Sequence, residues 1–383
     1  MDFDLSDEQR MLHESLEKLM AGQYAFDMRQ GFLKEKNGWS RDMWRRYADM
    51  GLLGLPFSEA DGGLDGGAVE TMIVMEALGR HLALEPYLAT VVLCGALLRH
   101  GATGAQRAEL VPRIAAGDLT LAFAHGESKS RYDLADVSTR AQAEGGGWVL
   151  NGSKRFVLHG GTADKLLVSA RVSGERRDQD GIALFLVDAA APGLSRRGHV
   201  AQDRLNMAEV DLKGVRVPSS ACIGSPGSAL PVIARAVDEA LAAICAEAVG
   251  AMETAHAITV DYLKVRQQFG VAIGNFQALQ HRAVDMLVMV EQSRSMALYA
   301  AMSTQEPDAA LRSVAMSAAK VQINRAARWV GQQGVQLHGG IGATEECQVG
   351  HYFRRLSMIE FLFGDADHHL TRIVRAGGLL QTA

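Results

Sequence analysis

The sequence predicts an α+β multidomain chain in three parts. These are an N-terminal helical domain over 1–118, a central β-barrel-like domain over 119–227 and a C-terminal four-helix bundle over 228–383. Three observations predict this. Apolar residues recur at helical spacing at both ends of the chain. Between them, short apolar runs bounded by Gly, Asn, Asp or Pro read as strands. A length of 383 residues has room for two or three domains and a large core.

In the first part, Ser6 followed by Glu8 and Gln9 reads as a helix start before an apolar stripe of Met11, Leu12, Leu16 and Leu19. A loop with Gly62, Gly63, Gly66 and Gly67 interrupts it. Its glycine spacing does not fit a dinucleotide fingerprint and no strand precedes it, so it reads as a flexible turn that a ligand can approach. Helices resume over 69–79 and 86–99. In the second part, strands are expected at 119–124, 148–151, 165–171, 182–187 and 215–217, forming a small barrel or sandwich. Asn151-Gly152 is a hairpin-turn signal, and the charged segment 174–180 reads as an exposed hairpin loop. In the third part, rich in Ala and Met, helices are expected at 229–268, 275–303, 307–339 and 345–376. Long helices joined by short loops predict a bundle. Ala315, Ala318, Ala319, Ala326 and Ala327 allow close packing within the chain or between subunits.

Composition narrows the function. The net charge of −5 comes without a basic block, which argues against nucleic-acid binding. Cys94, Cys222, Cys245 and Cys347 are scattered, with no C-x-x-C pair, so neither a metal site nor a disulfide framework is expected. That usage suits a reduced cytoplasm. The acidic start of the chain reads as neither a signal nor a transit peptide. No uncharged apolar run reaches membrane-spanning length. His338, His351, His368 and His369 lack metalloenzyme spacing and read as loop or cap histidines.

The most informative stretch is 258–281. It reads as the end of one helix, a break over 270–274 and the start of another helix through Ala283, Val284, Leu287 and Val288. Arg266, Gln268 and Phe269 sit beside the break. A guanidinium, an amide and an aromatic ring there can hold an anionic, partly aromatic ligand. A solvated Arg in a helical hairpin is the alternative.

Tyr262-x-x-x-Arg266-x-Gln268-Phe269-Gly270, followed by Phe276-Gln277-x-x-Gln280-His281, resembles a segment of the acyl-CoA dehydrogenases. The resemblance covers essentially the whole chain. It implies that fold, an FAD cofactor and oxidation of the α–β bond of acyl-CoA thioesters. It also implies that Arg266 meets the FAD pyrophosphate, and that Gln268, Phe269 and Gln277 meet the cofactor across a subunit interface. Gln336-Leu-His-Gly-Gly-Ile-Gly342 is similar to the family's Q-x-H-G-G-x-G and implies FAD contacts at Gln336, Gly339 and Gly340. Glycines without Cβ let backbone N–H groups approach a pyrophosphate, although Gly-Gly after a helix is also an ordinary C-cap.

Two further stretches resemble family motifs with changes. In 121–133 the family's A-x-T-E-P-x-A-G-S-D keeps Glu127 and Asp133, but its flavin-facing Thr becomes Gly126. Its CoA-positioning Ser becomes Tyr132. Backbone groups of His125 and Gly126 can still meet the flavin edge; a ligand-free strand-to-loop turn is the alternative. In 151–164, Asn151-Gly-Ser-Lys-Arg-Phe-Val-Leu-His resembles N-G-x-K-x-W-I-T-N. Phe156 stands for the flavin-stacking Trp, or is a core aromatic. Leu158 replaces a Thr that bonds near flavin N5 and cannot donate. Such a loss is worth roughly 0.5–1.5 kcal/mol and need not abolish binding.

The family's catalytic glutamate is missing. Aligning its Y-E-G-T on Gly364 puts Phe363 at the base position, Asp365 at the Thr that touches FAD and Asp367 at the later Glu. Some relatives carry the base on the earlier helix, at a place where this chain has Ala240. Glu239 and Glu247 lie nearby, and Glu247 sits among apolar residues. Glu247, Asp365 and Asp367 are therefore the base candidates, beside an ion-pair role for Glu247 and the absence of any base.

Stretches 47–56, 70–77, 85–91, 245–252 and 362–370 are most similar to the small subunits of pimeloyl-CoA dehydrogenase. That resemblance implies a medium-chain or dicarboxylyl-CoA substrate, an electron-transfer flavoprotein as acceptor, and a homotetramer or a heterotetramer with a large subunit. A dicarboxylate would want a deep Arg or Lys, and the sequence places none. The alternatives are a non-catalytic subunit completing a partner's FAD site and a helical scaffold without cofactor.

Overall fold

The computed structural model describes residues 5–378. Residues 1–4, the start of the acidic N-terminus, and 379–383, the end of the third expected part, lie outside the described residues. The chain opens with α1 Asp7–Gln23, α2 Phe26–Phe32, α3 Arg41–Asp49 and α4 Ala68–Arg80. A π-helical stretch, Leu88–Cys94, then runs into α5 Gly95–Gly101 and is followed by α6 Gly104–Ala115. The strands are β1 Leu121–Ala124, β2 Arg140–Glu144, β3 Gly147–Leu158, β4 Lys165–Arg171, β5 Ile182–Asp188, β6 Leu194–Val200, β7 Asn206–Pro218 and β8 Cys222–Ile223. Next come α7 Leu230–Val265, the small strands β9 Gln267–Gln268 and β10 Val271–Ala272, α8 Gln277–Ser303, α9 Ala309–His338, α10 Gln348–Phe361 and α11 Ala366–Arg375. The architecture is the expected helical–β–helical one, and its contacts form two compact units.

One unit comprises 32–67 and 84–240. Its sheet runs β6-β7-β3-β2-β4-β5-β8, with β1 parallel to β4. Leu150, Val157, Leu166, Val168, Phe185 and Val210 fill its core. Asn151-Gly152 is not a turn but lies inside β3, at a register shift opposite β7. The turn is Gly145-Gly146, whose φ values of 60° and 81° suit a two-residue hairpin. Gly152 instead answers a close approach: a Cβ there would lie 2.4 Å from Thr139 Oγ1. The 174–180 loop does join β4 to β5, but it is anchored. Buried Arg171 donates to the carbonyls of Ala135, Val137, Arg176, Asp178 and Asp180. The 62–67 loop packs at two of its glycines: a Cβ on Gly63 would lie 2.2 Å from Phe57 O, and Gly66 N donates to Leu55 O at 2.7 Å.

The other unit comprises, among the described residues, 5–31, 68–83 and 241–378. Ser6 caps α1 in a reciprocal box with Gln9, at 3.2 and 3.0 Å. Leu16 and Met20 are buried, whereas Met11 is 65% exposed, so the apolar stripe is narrower than expected. α4 meets α7 backbone to backbone, since a Cβ on Gly79 would lie 2.0 Å from Glu247 O and one on Gly250 1.9 Å from Glu76 O. α9 is central and packs against α8, α10 and α11. The helix expected over 345–376 is broken by a turn at 362–365, where Phe363 has φ 61° and Gly364 φ 129°. Asp365 caps α11, accepting from His368 N at 2.8 Å. No helix of the described residues is long and apolar enough to cross a membrane.

Candidate active site

The loop after β1 rests on a buried ion pair. Lys154, fully buried on β3, places Nζ 2.9 Å from Glu127 Oε1 and donates to Ser169 Oγ at 3.0 Å and His125 O at 3.1 Å. Glu127 also accepts from Thr139 N and Oγ1, from Ser138 N and from the Ser138 hydroxyl. Burial pushes the Glu127 carboxyl up, but the ammonium and these donors outweigh it and bring it down to about 2. Burial lowers Lys154 to about 8 against the pull of Glu127. His125 Nδ1 lies 2.9 Å from Ser169 Oγ, and its ring stacks on Phe123. Burial and the neighbouring ammonium lower its imidazole to about 3, so it is neutral at physiological pH.

This frame presents backbone. Gly126 O accepts from Arg155 N at 2.7 Å, and a Cβ at Gly126 would sit 3.2 Å from Arg155 O. That tight approach suits glycine where the family motif has a Thr. Tyr132 is half-buried on the same loop. Phe156 lies at a β3 irregularity with φ 56° and is 75% exposed. The left-handed backbone costs a non-glycine residue free energy, and here it goes with an aromatic ring turned outward. Leu158 is buried, paired with Met207 of β7.

In the helical unit, α7 ends in a hairpin whose turn is Phe269-Gly270, φ 54° and 81°. Phe269 is 91% exposed and meets Phe276 edge to face. Arg266, Gln268 and Gln277 are exposed. Among the described residues the Arg266 guanidinium has no ion-pair partner. His338 stacks on Tyr262 at 4.5 Å and bonds Gly334 O at 2.8 Å, which brings the ends of α7 and α9 together. Just beyond it, Gly339 adopts φ 65°, ψ −146°, a conformation nearly restricted to glycine. A Cβ on Gly339 or Gly340 would meet nothing within 4 Å, and Gln336 is exposed beside them. An uncommitted guanidinium, an exposed ring and open glycine backbone are the donor set that an aromatic dinucleotide with a pyrophosphate requires.

Two of the three base candidates are engaged. Glu247 is 6% exposed and gripped by Arg355 of α10, Nε to Oε1 at 2.6 Å and Nη2 to Oε2 at 2.8 Å. Asp365 is the α11 cap, while Asp367 is exposed in the first turn of α11. Glu239 is likewise paired, with Arg99, His100 and Arg235. Ala240 is buried. The turn carrying Phe363 is clamped from behind: Lys320 Nζ donates to Asn324 Oδ1 at 2.7 Å, Ile359 O at 2.8 Å and Gly364 O at 3.2 Å. Burial lowers that ammonium to about 8.

Comparison with known proteins bears directly on this arrangement. Residues 6–118, 122–215 and 230–378 match the N-terminal, middle and C-terminal domains of acyl-CoA dehydrogenase. The chain belongs to the acyl-CoA dehydrogenase family. It is similar to the probable acyl-CoA dehydrogenase YngJ of Bacillus subtilis, at 27% identity over 100% of each chain. Among solved structures it is similar to the FAD complex of PigA, with TM-score 0.90, 26% identity and coverage of 99% and 100%. It is also similar to the ChsE4-ChsE5 complex of Mycobacterium tuberculosis, with TM-score 0.87, 26% identity and coverage of 100% of each chain. The acyl-CoA dehydrogenase family oxidises acyl-CoA with FAD, and FAD is the cofactor of this flavin-dependent oxidoreductase.

Sequence reasoning did not identify the supporting side chains. Lys154 stood in the N-G-x-K motif without a role. Thr139, Ser169 and Lys320 carried no signal, because their partners lie far away in sequence.

Proposed function

We propose that the chain oxidises a medium-chain or dicarboxylyl acyl-CoA, such as pimeloyl-CoA, to the trans-2-enoyl-CoA. Electrons then pass to an electron-transfer flavoprotein. The cofactor part of this reading is carried by one observation: the open Gly339-Gly340 turn at the end of α9, joined through the Tyr262–His338 stack to α7, which ends just before Arg266. Arg266 supplies a charge-assisted bond to the pyrophosphate. Gln268, Phe269, Gln277, Gln336, Gly339 and Gly340 hold the cofactor of a neighbouring subunit. His125 and Gly126 offer backbone to the flavin edge, Phe156 covers it, Leu158 borders it without a hydrogen bond, Asp365 stands at the sequence position of the family Thr that touches FAD, and Tyr132 meets the CoA moiety. When bound, FAD supplies the hydride acceptor for substrate Cβ. Glu247, Asp365 and Asp367 are the carboxylates to test as the base that takes the α-proton. We place the protein in the cytoplasm, as a homotetramer or a heterotetramer with a large subunit.

The test is anaerobic addition of pimeloyl-CoA or octanoyl-CoA to the purified yellow protein. Bleaching of the flavin is expected. A protein that stays yellow with both, alone and with co-expressed partner, counts against a complete site. A colourless protein in every preparation would favour a scaffold instead.

A second reading has its own support. Phe363 stands at the base position on a fully built turn, and Glu247 is committed to Arg355. The ChsE4-ChsE5 complex shows a similar fold in an assembly of two different chains. In this reading the chain completes the FAD site of a partner that supplies the base. Co-expression that turns a colourless chain yellow supports it; bleaching by the chain alone sinks it.

A further inference from the structure

The peptide between His125 and Gly126 faces two ways. Its carbonyl accepts from Lys154 Nζ at 3.1 Å, inside the core of the β unit. In a trans peptide the N–H points opposite to the carbonyl, so the Gly126 N–H is directed away from the ammonium. Among the described residues that N–H donates to no acceptor. A backbone donor without a protein acceptor is met by water or by a ligand, so this one is available to a ligand. Gly126 also leaves no side chain to cover it.

We propose that Lys154 is a positioning residue that polarises the His125–Gly126 peptide and thereby raises the reduction potential of the bound flavin. The inference rests on the reading that this peptide meets the flavin edge. Linked hydrogen bonds strengthen one another, because a carbonyl drawn on by an ammonium makes its own amide N–H a stronger donor. A stronger donor at the flavin edge favours the electron-rich reduced form. The groups facing Lys154 limit its effect to this route. Glu127 from the β1–β2 loop cancels its net charge, and Ser169 of β4 orients it without charge. Thr139 shares Glu127 Oε1 with Lys154 and Ser138 holds Oε2, His125 is neutral, and Arg171 of β4 is held by carbonyls. What reaches the flavin is therefore a fixed amide dipole rather than a free charge.

The test is the midpoint potential of FAD on the full-length holoprotein, unaltered and as the double variant Lys154→Met/Glu127→Gln. The pair is removed together so that neither charge is left buried alone. The two-electron reduction equilibrium is expected to shift about threefold toward oxidised FAD, since the donor is weakened by a fraction of a bond and not removed, about 14 mV for such a couple. A folded, yellow variant with a potential unchanged within twofold overturns the inference. Should the double variant not retain FAD, the unaltered holoprotein decides. Its potential followed with pH is expected to show extra proton uptake on reduction in the range where Lys154, lowered by burial, loses its proton, and a slope without such a break from neutral to alkaline pH overturns the proposal. A colourless unaltered protein in every preparation and partner combination overturns the flavin contact itself, and the inference with it.

Discussion

Arg355 holds both oxygens of Glu247, at 2.6 and 2.8 Å, from a helix 108 residues further along the chain. Each partner is at least nine-tenths buried. A buried charge that loses its partner costs about 3–5 kcal/mol. Glu247→Gln is therefore expected to lower the unfolding free energy by about that much, measured by urea denaturation. The rate of flavin bleaching per folded, FAD-loaded molecule should stay within about threefold, because a carboxylate committed to an ion pair is not free to take a proton. A stable variant that no longer bleaches would make Glu247 the base instead.

Arg266 and Gly340 separate cofactor binding from folding. Both are exposed, and a Cβ on Gly340 meets nothing. Arg266→Gln and Gly340→Ala should leave stability within about 0.5 kcal/mol of the parent. FAD affinity should fall about ten- to a hundredfold for Arg266→Gln, the range expected for a lost charge-assisted hydrogen bond. Fluorescence titration of the apoprotein with FAD checks both. Unaltered affinity in both variants would remove this surface from the FAD site.

Phe156 carries left-handed backbone with its ring exposed. Phe156→Gly relieves about 1–2 kcal/mol of steric cost but adds roughly 0.5–1 kcal/mol of unfolded-chain entropy. The apoprotein should become up to about 1.5 kcal/mol more stable while binding FAD more weakly. A clear loss of apoprotein stability would show that the ring is a packing residue.

Glu127 gives the β unit an acid-labile joint. Its carboxyl is held at about 2 in the folded chain against 4.5 for a free glutamate, because Lys154 and the Ser138 and Thr139 donors outweigh the opposing effect of burial. A lowered folded value means that the stabilisation is complete above about 4.5 and is lost as pH falls through about 2. The contribution is on the order of 3 kcal/mol. Urea midpoints compared at pH 6 and pH 3 should show the loss, and Glu127→Gln should flatten part of it. An identical pH dependence in the variant would dismiss Glu127 as the source.

The elements missed from sequence share a property. β2 has one buried residue in five, and β6 has none below the half-buried class, so neither presents an apolar alternation to read. Asn151-Gly152 has good turn chemistry, but Gly152 is needed where Thr139 crosses it, and the Gly145-Gly146 pair makes the turn. The stretch Leu88–Cys94 lies within the helix expected over 86–99, but its π-helical winding is not legible in the sequence, since it is buried throughout and has no periodicity of its own.

The amino-acid order by itself determined the succession of helical, β and helical parts, the capped start at Ser6, and the two glycine-bearing segments around Arg266 and Gly339. These depend on neighbours within a turn or two of the chain, where spacing and capping chemistry act directly. Only the tertiary structure decided that Lys154 meets Glu127, Ser169 and the His125 carbonyl, that Arg355 takes Glu247, and that Lys320 clamps the turn bearing Phe363. A buried charge must find its partner wherever the packed core brings one, and nothing in local spacing names it.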